Sequence, residues 1–157
     1  MQRIFTGWEF TLPPLVERCY FCPGNQLGTM EADRKNCSIK TTVFVVDDEP
    51  MLLDLAEAIL GAVGYEVRTF RDPELALQEF AVARPDLVIT DYAMGRMTGM
   101  DLIRECRRLN PEQKIVLISG TVDEHVFSDA PVKPDRFLTK PYQIYQLTDC
   151  VRELTGA

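Results

Sequence analysis

The stretch TVFVVDDEP, residues 42 to 50, sets an unbroken apolar, β-branched run against two adjacent aspartates, a glutamate and a proline. An apolar run of five without alternation is the pattern of a strand covered on both faces, as in a parallel sheet between helices. Pro50 suits the first turn of a helix, whose opening N–H groups have no intrahelical partner. Residues 42 to 50 therefore read as a strand, a tight turn and the start of a helix. The acids in the turn pose a separate question. Like charges this close repel one another and resist leaving water, so Asp47 and Asp48 point to a cation.

The same alternation continues along the chain. PMLLDLAEAILGAVG places apolar residues at Leu52, Leu55, Ile59 and Val63 and ends at Gly64, a helix with start and stop signals. EVRTF is a short strand, and Asp72 caps a helix, PELALQEFAVAR, that opens on Pro73. DLVIT is the next buried strand, MDLIRECRRLN a helix stopped by Pro111, KIVLIS a fourth strand and RFLT a fifth. YQIYQLTDCVREL is a final helix with an inward stripe of Ile144, Leu147, Val151 and Leu154. Between the fourth and fifth strands, VDEHVFSDAP has room for two helical turns before Pro131 and Pro134. Five strands alternating with five helices predict an α/β fold, a doubly wound parallel sheet with right-handed crossovers and helices on both faces.

Composition narrows the function. The 157 residues carry a net charge of −7 and suffice for one ordinary domain with a substantial core. The first 41 residues hold nearly balanced charge, so the acidity falls on residues 42 to 157. A domain this acidic is a poor direct binder of nucleic acid or of an anionic membrane. No stretch approaches the roughly 20 apolar residues of a membrane span. Glu9, Pro13 and Pro14 stand where a signal peptide needs an apolar block, so a cytoplasmic location is expected. Residues 1–41, with Pro13, Pro14, Pro23, Gly24 and Gly28, read as a poorly ordered extension, of which the part before Met30 is expected to be dispensable. Cys19 and Cys22 form a CxxC with only Cys37 nearby, one ligand short of a closed zinc site, and are expected to be ordinary thiols.

In open parallel sheets ligands bind beyond the carboxyl ends of the strands. Asp47 and Asp48 close the first strand, Asp91 the third, Ser119 the fourth and Lys140 the fifth. Three carboxylates, a hydroxyl and an ammonium thus converge on one edge. A cation of Mg²⁺ size takes oxygen ligands and keeps several waters, so one to three carboxylates suffice, and Mg²⁺ between Asp47, Asp48 and Asp91 explains the opening acids. A carboxylate can also attack phosphorus and form an aspartyl phosphate, with Lys140 and Ser119 neutralising the transferred group.

VDDE, DYAMGRMTG, SG and FLTKP, in this order and spacing over about residues 42 to 155, closely resemble the receiver domain of two-component response regulators. The resemblance implies a flavodoxin-like strand order 2-1-3-4-5 over a receiver domain at 42–157. It implies that Asp91 accepts a phosphoryl group from a phosphohistidine on a sensor histidine kinase or histidine phosphotransfer protein. Asp47, Asp48, Asp91 and the main-chain carbonyl of Ala93 would hold Mg²⁺, and Lys140 and Ser119 would grip the phosphoryl group. Ser119 and Phe137 would form the switch, and the Lys140–Pro141 bond would be cis. The chain departs from the pattern with Gly95 in place of the usual Pro, Gly120 in place of Ala and Ser119 in place of Thr. With no further domain expected after Gly156, the output is a separate protein target rather than an enzymatic activity of its own. The surface expected to meet that target includes Tyr142, Tyr145, Gln146, Asp149 and Arg152, pointing outward.

Several rivals are weighed against this. A phosphorelay intermediate, or a receiver fragment of a longer regulator, would use the same site. A Mg²⁺-dependent aspartyl-phosphate hydrolase resembling the haloacid dehalogenase group needs a second acid two residues after the nucleophile, where Ala93 stands. A flavin binder of the same fold would offer hydroxyls and N–H groups after the first strand rather than DDE.

Overall fold

The computed structural model describes residues 40–121, 125 and 130–156. The expected extension up to residue 39, the CxxC cysteines, and most of the expected helical turns between the fourth and fifth strands lie outside these residues. Five strands and four helices are described: β1 (Thr42–Val46), α1 (Pro50–Ala62), β2 (Glu66–Phe70), α2 (Pro73–Ala83), β3 (Leu87–Asp91), α3 (Gly99–Leu109), β4 (Lys114–Ser119), β5 (Arg136–Thr139) and α4 (Ile144–Thr155). All pairings are parallel, in the order β2-β1-β3-β4-β5, as the resemblance implies.

The alternation of side chains along each strand divides the core between the two faces of the sheet. Val43, Val45, Leu87, Ile89, Val116 and Ile118 pack with Leu53, Ala56 and Leu60 of α1 and with Leu147 and Val151 of α4. On the opposite face Phe44, Val46, Val88, Ile115 and Leu117 pack with Ala76 and Phe80 of α2 and with Leu102, Ile103 and Cys106 of α3. Every residue of β3 is buried, whereas the edge strand β2 has none fully buried, which explains the unbroken apolar sequence of the first and not of the second.

Local signals set the helix boundaries. Asp72 accepts a hydrogen bond from the Glu74 N–H at 2.8 Å and caps α2. Thr98 and Asp101 form a reciprocal capping box at the start of α3.

The stripe expected on α1 is corrected. Leu53, Ala56 and Leu60 face the core, while Leu55 and Val63 are exposed. Apolar residues occur in adjacent pairs along this helix (52 and 53, 55 and 56, 59 and 60), so periodicity supports two stripes about 100° apart. The small Ala56 selects the one that lets the helix approach the sheet. In α4, Leu147 and Val151 are buried and Leu154 packs against the core as expected, but Ile144, in the first turn, is exposed.

Register then levels the carboxyl ends of the strands. Val46 pairs with Thr90, Asp91 with Ile118, and Ser119 with Thr139. The residues that follow in β1 and β5, Asp47 and Lys140, therefore come to the same edge as Asp91 and Ser119.

Candidate functional site

At that edge Asp47, Asp91 and Lys140 are in direct contact. The Lys140 ammonium lies 2.6 Å from Asp91 Oδ1 and 3.0 Å from Asp47 Oδ2. Both carboxylates are buried, with only 6% and 7% of Asp47 and Asp91 exposed. Burial by itself draws the Lys140 pKa down, but the hydrogen bonds and charges of Asp91 and Asp47 outweigh it and hold the group above the ordinary lysine range.

The free carboxylate oxygens are held by main chain. Glu49 N–H donates to Asp47 Oδ1 at 2.9 Å, and Ala93 N–H donates to Asp91 Oδ2 at 2.6 Å. These bonds arise because each acid ends a strand and the chain turns back over it. Behind Asp91, the buried Thr90 hydroxyl donates to the Asp91 carbonyl at 3.0 Å and contacts Met94 Sδ at 3.7 Å.

Gly99 fixes the approach of α3. A Cβ built there would stand 2.3 Å from the Asp91 carbonyl oxygen and 2.8 Å from Leu117 Cδ1, so only glycine fits. Gly95 has φ +79°, a left-handed conformation that proline cannot adopt, which accounts for its departure from the receiver pattern.

The other expected site residues are placed as follows. Ser119 is buried at the end of β4, and its hydroxyl accepts from Thr121 N–H at 3.2 Å. Ala93 is exposed, and Asp48 is exposed beside Asp47. Phe137 is half-buried in β5 against the cluster that includes Leu117. The Lys140–Pro141 peptide is cis.

One expected position is corrected. Tyr142 does not point outward with Tyr145; it is half-buried, packs against the core, and lines a cavity of about 10 Å³ with Asp47, Asp91, Leu52 and Leu147. The sequence pattern assigned it to a helix face, but it precedes α4, which begins at Ile144. Burial raises its pKa, the nearby Lys140 lowers it, and Asp47 and Asp91 raise it further.

The fit to a metal follows from the donors. Among the described residues no three His, Cys, Asp or Glu side chains are gathered into a ready-made metal cluster. Yet two buried carboxylates converge on a single cation, the Lys140 ammonium, and Asp48 adjoins them. Mg²⁺ retains most of its water and takes one or two carboxylates, so this all-oxygen set fits a hard divalent ion. Chemically, the edge offers an acid that can act as a nucleophile and a cation that can neutralise an incoming anion. No helix among the described residues is long and apolar enough to cross a membrane.

Comparison with known proteins adds the family context. The family described as "Response regulator receiver domain" matches residues 43–152. The nitrogen assimilation regulatory protein NtrX of Azorhizobium caulinodans is 40% identical over 80 residues, covering 50% of this chain and 18% of that protein. The probable transcriptional regulatory protein TcrX of Mycobacterium tuberculosis is 30% identical over 115 residues, covering 72% of this chain and 49% of TcrX. The chain thus spans less than half the length of these curated relatives. The solved structure of the response regulator TrrA from Thermotoga maritima, in complex with Mg²⁺ and BeF, aligns with a TM-score of 0.65 and 29% identity, over 73% of this chain and 98% of that one.

Proposed function

Because the chain belongs to the response regulator receiver family, we propose that it is a phospho-accepting switch in which Asp91 takes a phosphoryl group from a partner phosphohistidine. The observation that carries this reading is the contact of Lys140 with both Asp47 and Asp91 at the level ends of β1, β3 and β5.

An Asp91 carboxylate oxygen attacks phosphorus, the new O–P bond forms, and the N–P bond to the donor imidazole breaks, leaving the electron pair on the donor. In the resting site both Asp91 oxygens are engaged, one by Lys140 and one by the Ala93 N–H. Lys140 therefore exchanges its bond to Asp91 for one to a phosphoryl oxygen as transfer proceeds. Ser119 follows Ile118, the residue paired with Asp91, and offers its hydroxyl to the same group. Asp47, Asp48, Asp91 and the Ala93 carbonyl would hold Mg²⁺, which would supply further neutralisation of the transferred charge.

The product adds nearly two negative charges and three acceptors at Asp91. Ser119 turns towards them, and Phe137, half-buried in the neighbouring strand, takes the space that opens. Ile144 and Tyr145, 59% and 63% exposed at the start of α4, support an output face that binds a separate protein. A second reading, phosphoryl relay to another histidine protein, is supported by exposed Met51 and Leu55 on α1, beside the acids. Tyr145→Ala separates the two: loss of downstream binding with intact labelling supports output, and unchanged signalling with phosphoryl passed to a histidine protein supports relay.

The central test is incubation with acetyl phosphate and Mg²⁺, followed by peptide mass analysis. A phosphoryl adduct on the peptide containing Asp91, absent when EDTA is added, is expected. An adduct elsewhere, or one indifferent to EDTA, overturns the proposal.

A further inference from the structure

The cavity beneath the two acids is walled by Val45, Val46, Ile89 and Ile118 from the sheet, Ala56 from α1 and Leu147 from α4, with Asp47 and Asp91 at its edge. All of these are buried. Only two lining residues, Leu52 and Tyr142, reach solvent, and both are half-buried. They are the least buried of the lining residues, so a passage from bulk water to the underside of the carboxylate pair would run between them. At about 10 Å³ the space is at the lower limit for a single water, and its walls offer that water few partners besides the carboxylates.

We propose that Tyr142, together with Leu52, is a positioning residue that closes this passage, so that Asp47 and Asp91 stay dry on their inner side and fixed against Lys140 and the main-chain donors. The physical gain is in local dielectric. A charge pair excluded from water interacts several-fold more strongly than a hydrated one. Water entering from below would compete for the carboxylate oxygens that now accept from Glu49 and Ala93. Tyr142 also stands two residues beyond Lys140, on the short segment after the cis bond, so the door and the ammonium share one piece of backbone. Since the ring rather than the hydroxyl does the closing, phenylalanine should serve equally well.

The test is amide hydrogen exchange by NMR at Glu49 and Ala93 in the unphosphorylated protein. Tyr142→Ala is expected to speed exchange at both amides by about tenfold through local opening, and Leu52→Ala, on the other side of the passage, should do the same. Tyr142→Phe should match the parent protein. Leu154→Ala, which removes a comparable half-buried contact from the same core away from the cavity, should lower Tm without speeding these two amides. Unchanged exchange in both Tyr142→Ala and Leu52→Ala, or equal acceleration in Leu154→Ala, overturns the proposal. A second measurement rests on the phosphotransfer reading: the labelling rate of Asp91 by acetyl phosphate should fall in Tyr142→Ala and not in Tyr142→Phe. If the parent protein takes no label, that reading fails, while the exchange result still decides the role of Tyr142.

Discussion

Two clusters of partly buried charge sit at opposite ends of the sheet. At the amino ends of β4 and β5, Asp135 Oδ2 accepts from Arg107 Nη2 at 2.8 Å and from Ile115 N–H at 2.7 Å, with the Lys114 ammonium 3.9 Å from its other oxygen. One acid there meets two cations and a main-chain donor. At the carboxyl ends the ratio is reversed, with Asp47 and Asp91 sharing Lys140. In the first cluster the acid is balanced by cations, and the pair ties α3 to the start of β5, although the buried Arg107 Nε has no hydrogen-bond partner. The second has negative charge and acceptor capacity in excess, which a further cation would offset. Residue types alone would rank the two alike. The balance of charge sets the structural tie apart from the candidate site.

The sharpest way to break this comparison is Asp91→Asn. It should abolish acetyl phosphate labelling entirely while leaving the melting temperature unchanged or raised, because it removes one of two crowded acids. A full-strength adduct on the variant would show that the excess has no chemical role.

Lys140→Met comes next. It leaves two buried carboxylates without their cation and should cost about 3 kcal/mol of stability in urea titrations at neutral pH. Added Mg²⁺ should recover much of the loss, since an ion that binds only the folded state stabilises it. Recovery by Na⁺ at equal ionic strength instead would reduce the effect to screening.

At the opposite end, Asp135→Ala should cost about 2 kcal/mol by removing charge-assisted hydrogen bonds. Its labelling should be unchanged, and Mg²⁺ should not restore its stability. A loss of labelling would mean that the two ends are coupled.

The smallest effect is expected at a third, half-buried and satisfied acid. Asp101 is held below the ordinary carboxylate range, chiefly by the hydrogen bond from the Thr98 side chain, then by the Thr98 main chain and Arg104. Thr98→Ala should cost about 1 kcal/mol at neutral pH. Because the folded-state pKa is lowered, this contribution is complete above the ordinary aspartate value and fades as pH falls through the lowered one. The gap in stability between the variant and the parent should therefore narrow in acid.

The carboxyl-end cluster was more legible in the sequence than the amino-end cluster. Asp47, Asp91, Ser119 and Lys140 each terminate an apolar run, so finding the strands located them together. Arg107 and Asp135 are 28 residues apart, one on a helix and one before a strand, and no pattern links them. Tyr142 was misplaced because the final helix was read as starting there, two residues before α4 begins at Ile144. The stripe on α1 failed because two adjacent registers are equally apolar, and only the packing distance to the sheet separates them. Gly99 was visible only as the last residue of the DYAMGRMTG motif, since its physical requirement is a distance to a carbonyl 8 residues earlier.

That glycine bears on how a mutational scan of this protein would look. Position 99 has no side chain, binds nothing and takes part in no proton or phosphoryl movement. Even so, a methyl group there would drive α3 off the backbone of Asp91, and every substitution should score as inactive. In a map of tolerated changes it would be indistinguishable from Asp91, the proposed nucleophile. Activity scores paired with abundance scores would part them, with Asp91 variants plentiful but silent and Gly99 variants scarce.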